Sequence, residues 1–278
     1  MRSTSSTTLT ERLALGGARV FAFAVLAFLV APIFVVFPLS FTAGQLLVFP
    51  LPGWSLQWYR EFFTSPLWTG ALLNSLFVGI VTTIAATVLG TMAALGLHGA
   101  RFRLKPFIMA LLVTPIAVPV VIIAVSAFYF FAAVNLVGTY IGLILAHIAL
   151  ALPFVVITVS ATLQGFDPNL PRAAASLGAS PLRTLRTVTL PIIAPGVASG
   201  SVFAFVTSFD ELVIALFITS PQQRTLPRQI FSGVSENISP TITAAAVVLL
   251  MVSVVLMLVM EWLRARSERM RRPGGTDQ

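Results

Sequence analysis

Six stretches of this chain, near residues 19–41, 71–97, 107–131, 139–163, 190–219 and 240–263, are apolar over a length that a globular core seldom needs. Each reaches the roughly 20 residues that a hydrocarbon core about 30 Å thick demands of a helix. The chain is 57% hydrophobic and 9% charged, with mean hydropathy +0.97, whereas a soluble domain carries about 25% charged residues. The fold class expected is therefore an all-α integral membrane protein with about six transmembrane helices. The first stretch follows Arg12 and Arg19 and so could pass for a signal peptide. Its apolar run exceeds the about 7 to 15 residues of a signal core and no small-x-small cleavage site follows, so it is kept as a span.

The basic residues orient the spans. Fourteen of the seventeen fall on one side: Arg2, Arg12, Arg19, Arg101, Arg103, Lys105, Arg172, Arg183, Arg186, Arg264, Arg266, Arg269, Arg271 and Arg272. Only Arg60, Arg224 and Arg228 fall on the other. By the positive-inside rule both termini and the loop between the fourth and fifth spans are cytoplasmic. The net charge of +8 thus reports topology, and no nucleic-acid partner is expected. Residues 1–18 read as a cytoplasmic tail, 19–263 as a six-helix domain with a loop at 164–190, and 264–278 as a basic cytoplasmic tail.

That loop is the most informative polar segment. Asp167 or Asn169 can cap a helix, Pro168 and Pro171 suit a first turn, and Ala173, Ala174 and Ala175 are strong helix formers. Gly178 has the position of a C′ glycine, and Ser180 with Pro181 restarts a helix on which Leu182, Leu185 and Val188 recur at helical spacing. The expectation is a helix, a turn and a second helix projecting from the membrane.

These residues carry a resemblance. Permease subunits of binding-protein-dependent ABC importers have a signature written E-A-A, three residues, G, nine residues, I-x-L-P. Ala173, Ala174, Gly178, Leu190 and Pro191 stand at its positions with Val188 for the isoleucine, while the opening acid is Arg172, which reverses the charge offered to a partner. The resemblance implies the type I importer permease fold with a cytoplasmic coupling-helix loop, in which Arg172, Ala173, Ala174, Gly178, Leu190 and Pro191 engage an ATPase. It also implies a second permease forming a heterodimer, a cytoplasmic ATPase dimer, an extracytoplasmic solute-binding protein, and residence in a bacterial inner membrane among lipid.

Between the first two spans, residues 42–70 form the longest outer segment. There Trp58 and Phe62, and Tyr59 and Phe63, are spaced as on one side of a helix, with Arg60 and Glu61 elsewhere. An interfacial amphipathic helix is expected, serving as an anchor or as a landing surface for an external protein. The second and third spans are rich in small residues, from Gly79 and Thr82 to Gly90 and Ala94, and should pack inside the bundle. Pro115 and Pro119 should kink or unwind the third.

Asp210 and Glu211 are the only acids well inside an apolar stretch, and an acid there costs about 2.5 to 3.5 kcal/mol unless it faces water, protein or a cation. Both are candidates for a substrate pathway. Ser208 through Glu211 also fit an S-x-x-E capping box, in which Glu211 returns to the Ser208 amide and leaves Asp210 alone on the path. Residues 208–212, 224–229 and 236–240 resemble the permeases of spermidine/putrescine importers, whose polycationic solutes would suit a carboxylate.

Several chemistries are absent. The single lysine, Lys105, is followed by Pro106, so no phosphate-binding P-loop exists and this chain is not the ATPase; the resemblance implies that ATP and Mg are bound by the partner ATPase and that this subunit is not itself an enzyme. There is no Cys, and His98 and His147 lack neighbours at metal-ligand spacing, so no metal or other cofactor is expected. His147 reads as a satisfied buried polar residue or a proton relay. The alternatives to polyamine import are an ABC permease for another small solute and a proton-coupled secondary transporter using Asp210, Glu211 or His147.

Overall fold

The computed structural model describes residues 9–100, 102–236 and 238–269. Arg2, Arg101, Arg271 and Arg272 lie outside them. Among the described residues the chain is helical, with a lone antiparallel bridge between Thr42 and Trp54. The helices are α1 (Leu9–Leu39), α2 (Gln57–Thr64), α3 (Pro66–Gly99), α4 (Lys105–Ala117), α5 (Val120–Ala133), α6 (Tyr140–Gln164), α7 (Asn169–Ser176), α8 (Pro181–Thr184), α9 (Leu190–Phe209), α10 (Val213–Ile218), α11 (Leu226–Glu236) and α12 (Pro240–Arg269). Five are long and apolar enough to cross a membrane, and α4 with α5 makes a sixth if the bent pair is one span.

The centre of the bundle is α3, α6 and α9. On α3 the buried positions Ala71, Ser75, Gly79, Thr82, Ala86, Gly90 and Ala94 recur every three or four residues, which is the expected small-residue face. Lipid is as apolar as leucine, so what holds such helices together is close packing rather than exclusion of water. Along α3 the approach is closest at Gly90: a Cβ there would sit 2.7 Å from Val155 Cβ on α6. Gly200 brings α9 equally near, its missing Cβ falling 2.6 Å from Thr158 Oγ1.

The third span departs from expectation. α4 buries no residue, and α5 buries only Ala124 and Phe131. The two helices meet at 106°. Pro119 lacks an amide hydrogen, and its ring forces Val118 out of the helical region to φ −89°, ψ 133°. Pro115 stays inside α4, so the second proline makes the break. α5 lies instead against α10, whose Ile214, Ala215 and Ile218 are fully buried in a cluster with Ala124 and Leu143.

The outer segment is tied down more firmly than an interfacial anchor requires. Phe62 of α2 is fully buried among Trp68, Leu226, Ile242 and Ala245. Trp58 Nε1 donates to the Thr42 carbonyl at 2.8 Å, and the Tyr59 hydroxyl lies 2.7 Å from Ser40 Oγ. Arg60, Glu61 and Phe63 remain exposed. By contrast α1 touches mainly α12 and leaves Phe21, Phe23, Phe28 and Phe34 open.

Candidate functional site

Two places combine exposed polar chemistry with a broken helix. They are the hairpin between α6 and α9 and the gap between α9 and α10.

The hairpin forms for the local reasons expected. Asp167 Oδ1 accepts from the Asn169 amide at 2.8 Å at the start of α7. At its end Gly178 has φ +80°, the Gly178 amide donates to the Ala175 carbonyl at 2.9 Å, and the Ala179 amide donates to the Ala174 carbonyl at 3.0 Å. This pair of bonds is the Schellman closure, which needs a left-handed residue at C′. Ser180 Oγ then accepts from the Arg183 amide, with Pro181 in the first turn of α8. No atom lies within 4 Å of the position a Gly178 Cβ would take, so backbone conformation rather than crowding within this chain calls for glycine.

The second arm does not stop at the membrane. From Pro181 to Phe209 the chain is one continuous helix, with a widened π turn over Leu185–Thr189. The signature residues therefore divide. Arg172 and Ala173 are exposed on α7, Ala174 is half-buried, and Gly178 is exposed at the turn beside Leu177, which is 89% open. Leu190 packs at the root against the cluster of Val159, Leu163 and Ile193, with Pro191 beside it in the first turn of α9. A cavity of about 390 Å³ opens between the arms, lined by Pro171, Ala175, Ala179, Pro181 and Leu185. Among the described residues Arg172 pairs with no acid; its Nη1 donates to Asn169 Oδ1 at 3.3 Å within its own helix.

At the other end of this long helix the acidic pair separates. Asp210 follows the last residue of α9 and is exposed, whereas Glu211 is 8% exposed. Glu211 Oε1 accepts from the Ile214 amide at 2.8 Å and so caps α10 in the forward direction. The expected return of Glu211 to the Ser208 amide is not made, because the helix does not restart at Ser208. That residue is still inside α9, and its hydroxyl lies 2.8 Å from His147 Nδ1 across the bundle. His147 is buried as expected, but among the described residues its Nε2 has no partner, so it is only half satisfied.

Sequence reasoning missed the clamp beyond α10. Arg228 Nη1 donates to the Thr219 carbonyl at 2.5 Å and to the Thr219 hydroxyl, at the C-terminus of α10. Burial, and then the charge of Arg224, pull this guanidinium below its ordinary range. Glu211 at the N-terminus and Arg228 at the C-terminus each oppose the local helix charge, so α10 is held at both ends by the matching sign. Asn74 Nδ2 donates to the carbonyls of Gln222 and Arg224 at 2.9 and 3.0 Å, and the Tyr140 hydroxyl donates to Asn74 Oδ1 at 2.6 Å. A lone Asn in an apolar helix was the available signal. Among the described residues no cluster of three His, Asp or Glu could hold a metal ion.

Comparison with known proteins adds to this geometry. Residues 86–270 match the family model described as binding-protein-dependent transport system inner membrane component. The chain is 34% identical over 247 residues to the spermidine/putrescine transport system permease protein PotC of Escherichia coli, covering 89% of this chain and 92% of that one. It is 33% identical over 251 residues to the putrescine transport system permease protein PotI of Escherichia coli, covering 88% and 89%. The trehalose transport system permease protein SugB of Mycobacterium tuberculosis is 34% identical over 210 residues, covering 73% and 76%. In structure the fold is similar to a chain of a bacterial ABC transporter involved in import of the acidic polysaccharide alginate, with TM-score 0.73 at 16% identity, covering 92% and 96%.

Proposed function

Since the chain belongs to the binding-protein-dependent transport system inner membrane component family and is a permease subunit of an ABC importer, we propose that the solute it passes is a polyamine of the spermidine/putrescine type. The observation that carries the solute class is the 34% identity to PotC over 89% of the chain. Asp210 supports it chemically. It is an exposed carboxylate at the end of α9, where the last helix carbonyls add partial negative charge, and a protonated amine entering there exchanges hydration for both. Glu211 serves the pathway indirectly, by fixing the start of α10.

The chain works with a second permease, a cytoplasmic ATPase dimer and an external solute-binding protein, and it binds no nucleotide, metal or other cofactor itself. Both termini and the hairpin lie on the cytoplasmic side, as the distribution of basic residues supports. Closure of the ATPase dimer around ATP displaces the hairpin through Arg172, Ala173, Ala174 and Gly178. Leu190 and Pro191 root the second arm in the core, and the helix above them carries the displacement to Asp210. The solute path between the two permeases then opens alternately to the two sides.

Proteoliposomes holding the complete transporter with ATP inside test this. Labelled spermidine and putrescine should accumulate only with ATP present. The likeness to SugB favours a neutral sugar as the second reading; trehalose uptake that polyamines do not inhibit would establish it instead.

A further inference from the structure

Asp210 stands at the top of a stripe along the upper half of α9. Ser199, Phe203, Val206 and Asp210 fall within about 60° of one another at 100° per residue. None is buried: Phe203 is 51% and Val206 37% exposed, Asp210 is open and Ser199 half-buried. Gly196 and Gly200 turn a different face to α6, where their missing Cβ atoms would meet Thr162 and Thr158. An acid among apolar neighbours persists where it meets water, protein or a cation, so a stripe that ends on Asp210 belongs to the solute path rather than to lipid. Asp210 is its only charged residue and Phe203 its only aromatic one. The ring of Phe154 on α6 is stacked against Phe203, with centroids 6.0 Å apart and planes at 21°, and so fixes where that ring stands.

The spacing along the stripe is a length. Phe203 precedes Asp210 by seven residues, so the two side chains start about 10 Å apart along the helix axis. With bonds of about 1.5 Å, an extended chain puts the terminal nitrogens of spermidine, nine bonds apart, at about 11 Å and those of putrescine, five bonds apart, at about 6 Å. One ammonium held by Asp210 therefore leaves the far ammonium of spermidine at Phe203 and that of putrescine beside Val206. An aromatic ring attracts an ammonium through the negative charge of its face, whereas valine offers it nothing. We infer that Phe203, supported by Phe154, is a second subsite of the solute path, which takes the distal ammonium of spermidine by cation–π contact and so selects the triamine over the diamine. The inference rests on the polyamine reading and specifies which polyamine the path prefers.

The test offers labelled spermidine and putrescine together to proteoliposomes holding the complete transporter, with ATP inside and the external solute-binding protein in excess. The readout is the ratio of the two solutes accumulated. The binding protein's own preference is common to wild type and variant, so it cancels when their ratios are compared. Phe203→Leu should lower the spermidine-to-putrescine ratio about 2- to 30-fold, the range of one cation–π contact from an exposed to a dehydrated site. Phe203→Tyr keeps the ring face and should keep the ratio. Phe154→Leu should lower it in the same direction, and carries the test if Phe203→Leu fails to assemble. Phe231→Leu, at an exposed aromatic on α11, should leave it unchanged. Uptake of both polyamines with an unaltered ratio in Phe203→Leu and Phe154→Leu would overturn the inference and leave the solute class standing. So would a ratio in Phe203→Tyr as low as that in Phe203→Leu, or an equal fall in Phe231→Leu. A wild type that accumulates neither polyamine would remove the solute reading and this inference with it.

Discussion

Gly178 offers a sharp test of the hairpin, because two explanations of its role rank alanine and asparagine in opposite order. With φ at +80° and no atom within 4 Å of an added Cβ, the structure assigns the requirement to backbone conformation. Placing alanine in the left-handed region costs about 1 to 2 kcal/mol, which divides the population of the closed hairpin by a factor of about 5 to 30. Asparagine tolerates that region far better although it is larger. Valine combines bulk with a branched Cβ and is worst on either account. The series Gly178→Asn, Gly178→Ala and Gly178→Val should therefore lose solute uptake per ATP hydrolysed in that order, measured in proteoliposomes at matched protein levels. If the glycine were needed instead to give clearance to a docked ATPase, alanine would be the mildest substitution. Wild-type coupling in Gly178→Ala, or worse coupling in Gly178→Asn than in Gly178→Ala, would refute the conformational argument.

At the break after α9, Asp210→Asn should lower uptake severalfold while assembly and melting temperature stay unchanged, since the carboxylate is exposed and keeps the same shape as an amide; radiolabelled uptake beside a thermal melt separates the two. Glu211→Gln keeps an acceptor for the Ile214 amide and should be tolerated, whereas Glu211→Ala should cost about 0.5 to 2 kcal/mol of stability as a lost cap, read from the same melt. In the outer segment, Phe62→Ala empties a fully buried site and should cost about 3 to 5 kcal/mol, visible as loss of assembled transporter in size-exclusion chromatography; Phe63→Ala, an exposed neighbour, is the control.

What the sequence displayed plainly was whatever a few adjacent residues decide. Asp167, Gly178 and Ser180 mark the hairpin because each acts on amides or carbonyls within three or four positions of itself. Glu211 shows where that locality ends. Its S-x-x-E setting fits a box opened by Ser208, but His147, 61 residues away, engages the Ser208 hydroxyl and keeps that residue inside α9, so the carboxylate caps the next helix. Pro115 and Pro119 announced a disruption of the third span without its size, because 106° depends on where α5 finds α10 to pack against. Small residues on α3 packed as read, while α4 buried nothing, since a packing face needs an opposing helix that composition does not name. The Asn74 clamp joins residues 148 and 150 positions apart, beyond any local pattern.

The arrangement of α8, α9 and α10 bears on how one end of this protein can act on the other. A helix of 29 residues spans about 43 Å, so the segment from Pro181 to Phe209 connects the hairpin to Asp210 without a loop between them. Leu190 and Ile193, packed against α6, let it pivot near its root better than they let it slide. The π turn at Leu185–Thr189 shifts the register of the hydrogen-bond ladder and Pro195 removes a donor from it higher up, so a tilt of the hairpin is absorbed at those two places or passed upward. At the upper end the helix breaks at the exposed Asp210, and the chain beyond it is held by Glu211, by Arg228 and by the buried isoleucines of α10. On the mechanism proposed above, movement reaching the top of α9 is concentrated at Asp210, the exposed carboxylate at the break between the long helix and the buried α10. A binding group placed there changes its surroundings with little rearrangement elsewhere, which is the requirement for a solute site that must hold its cargo in one state and release it in the next.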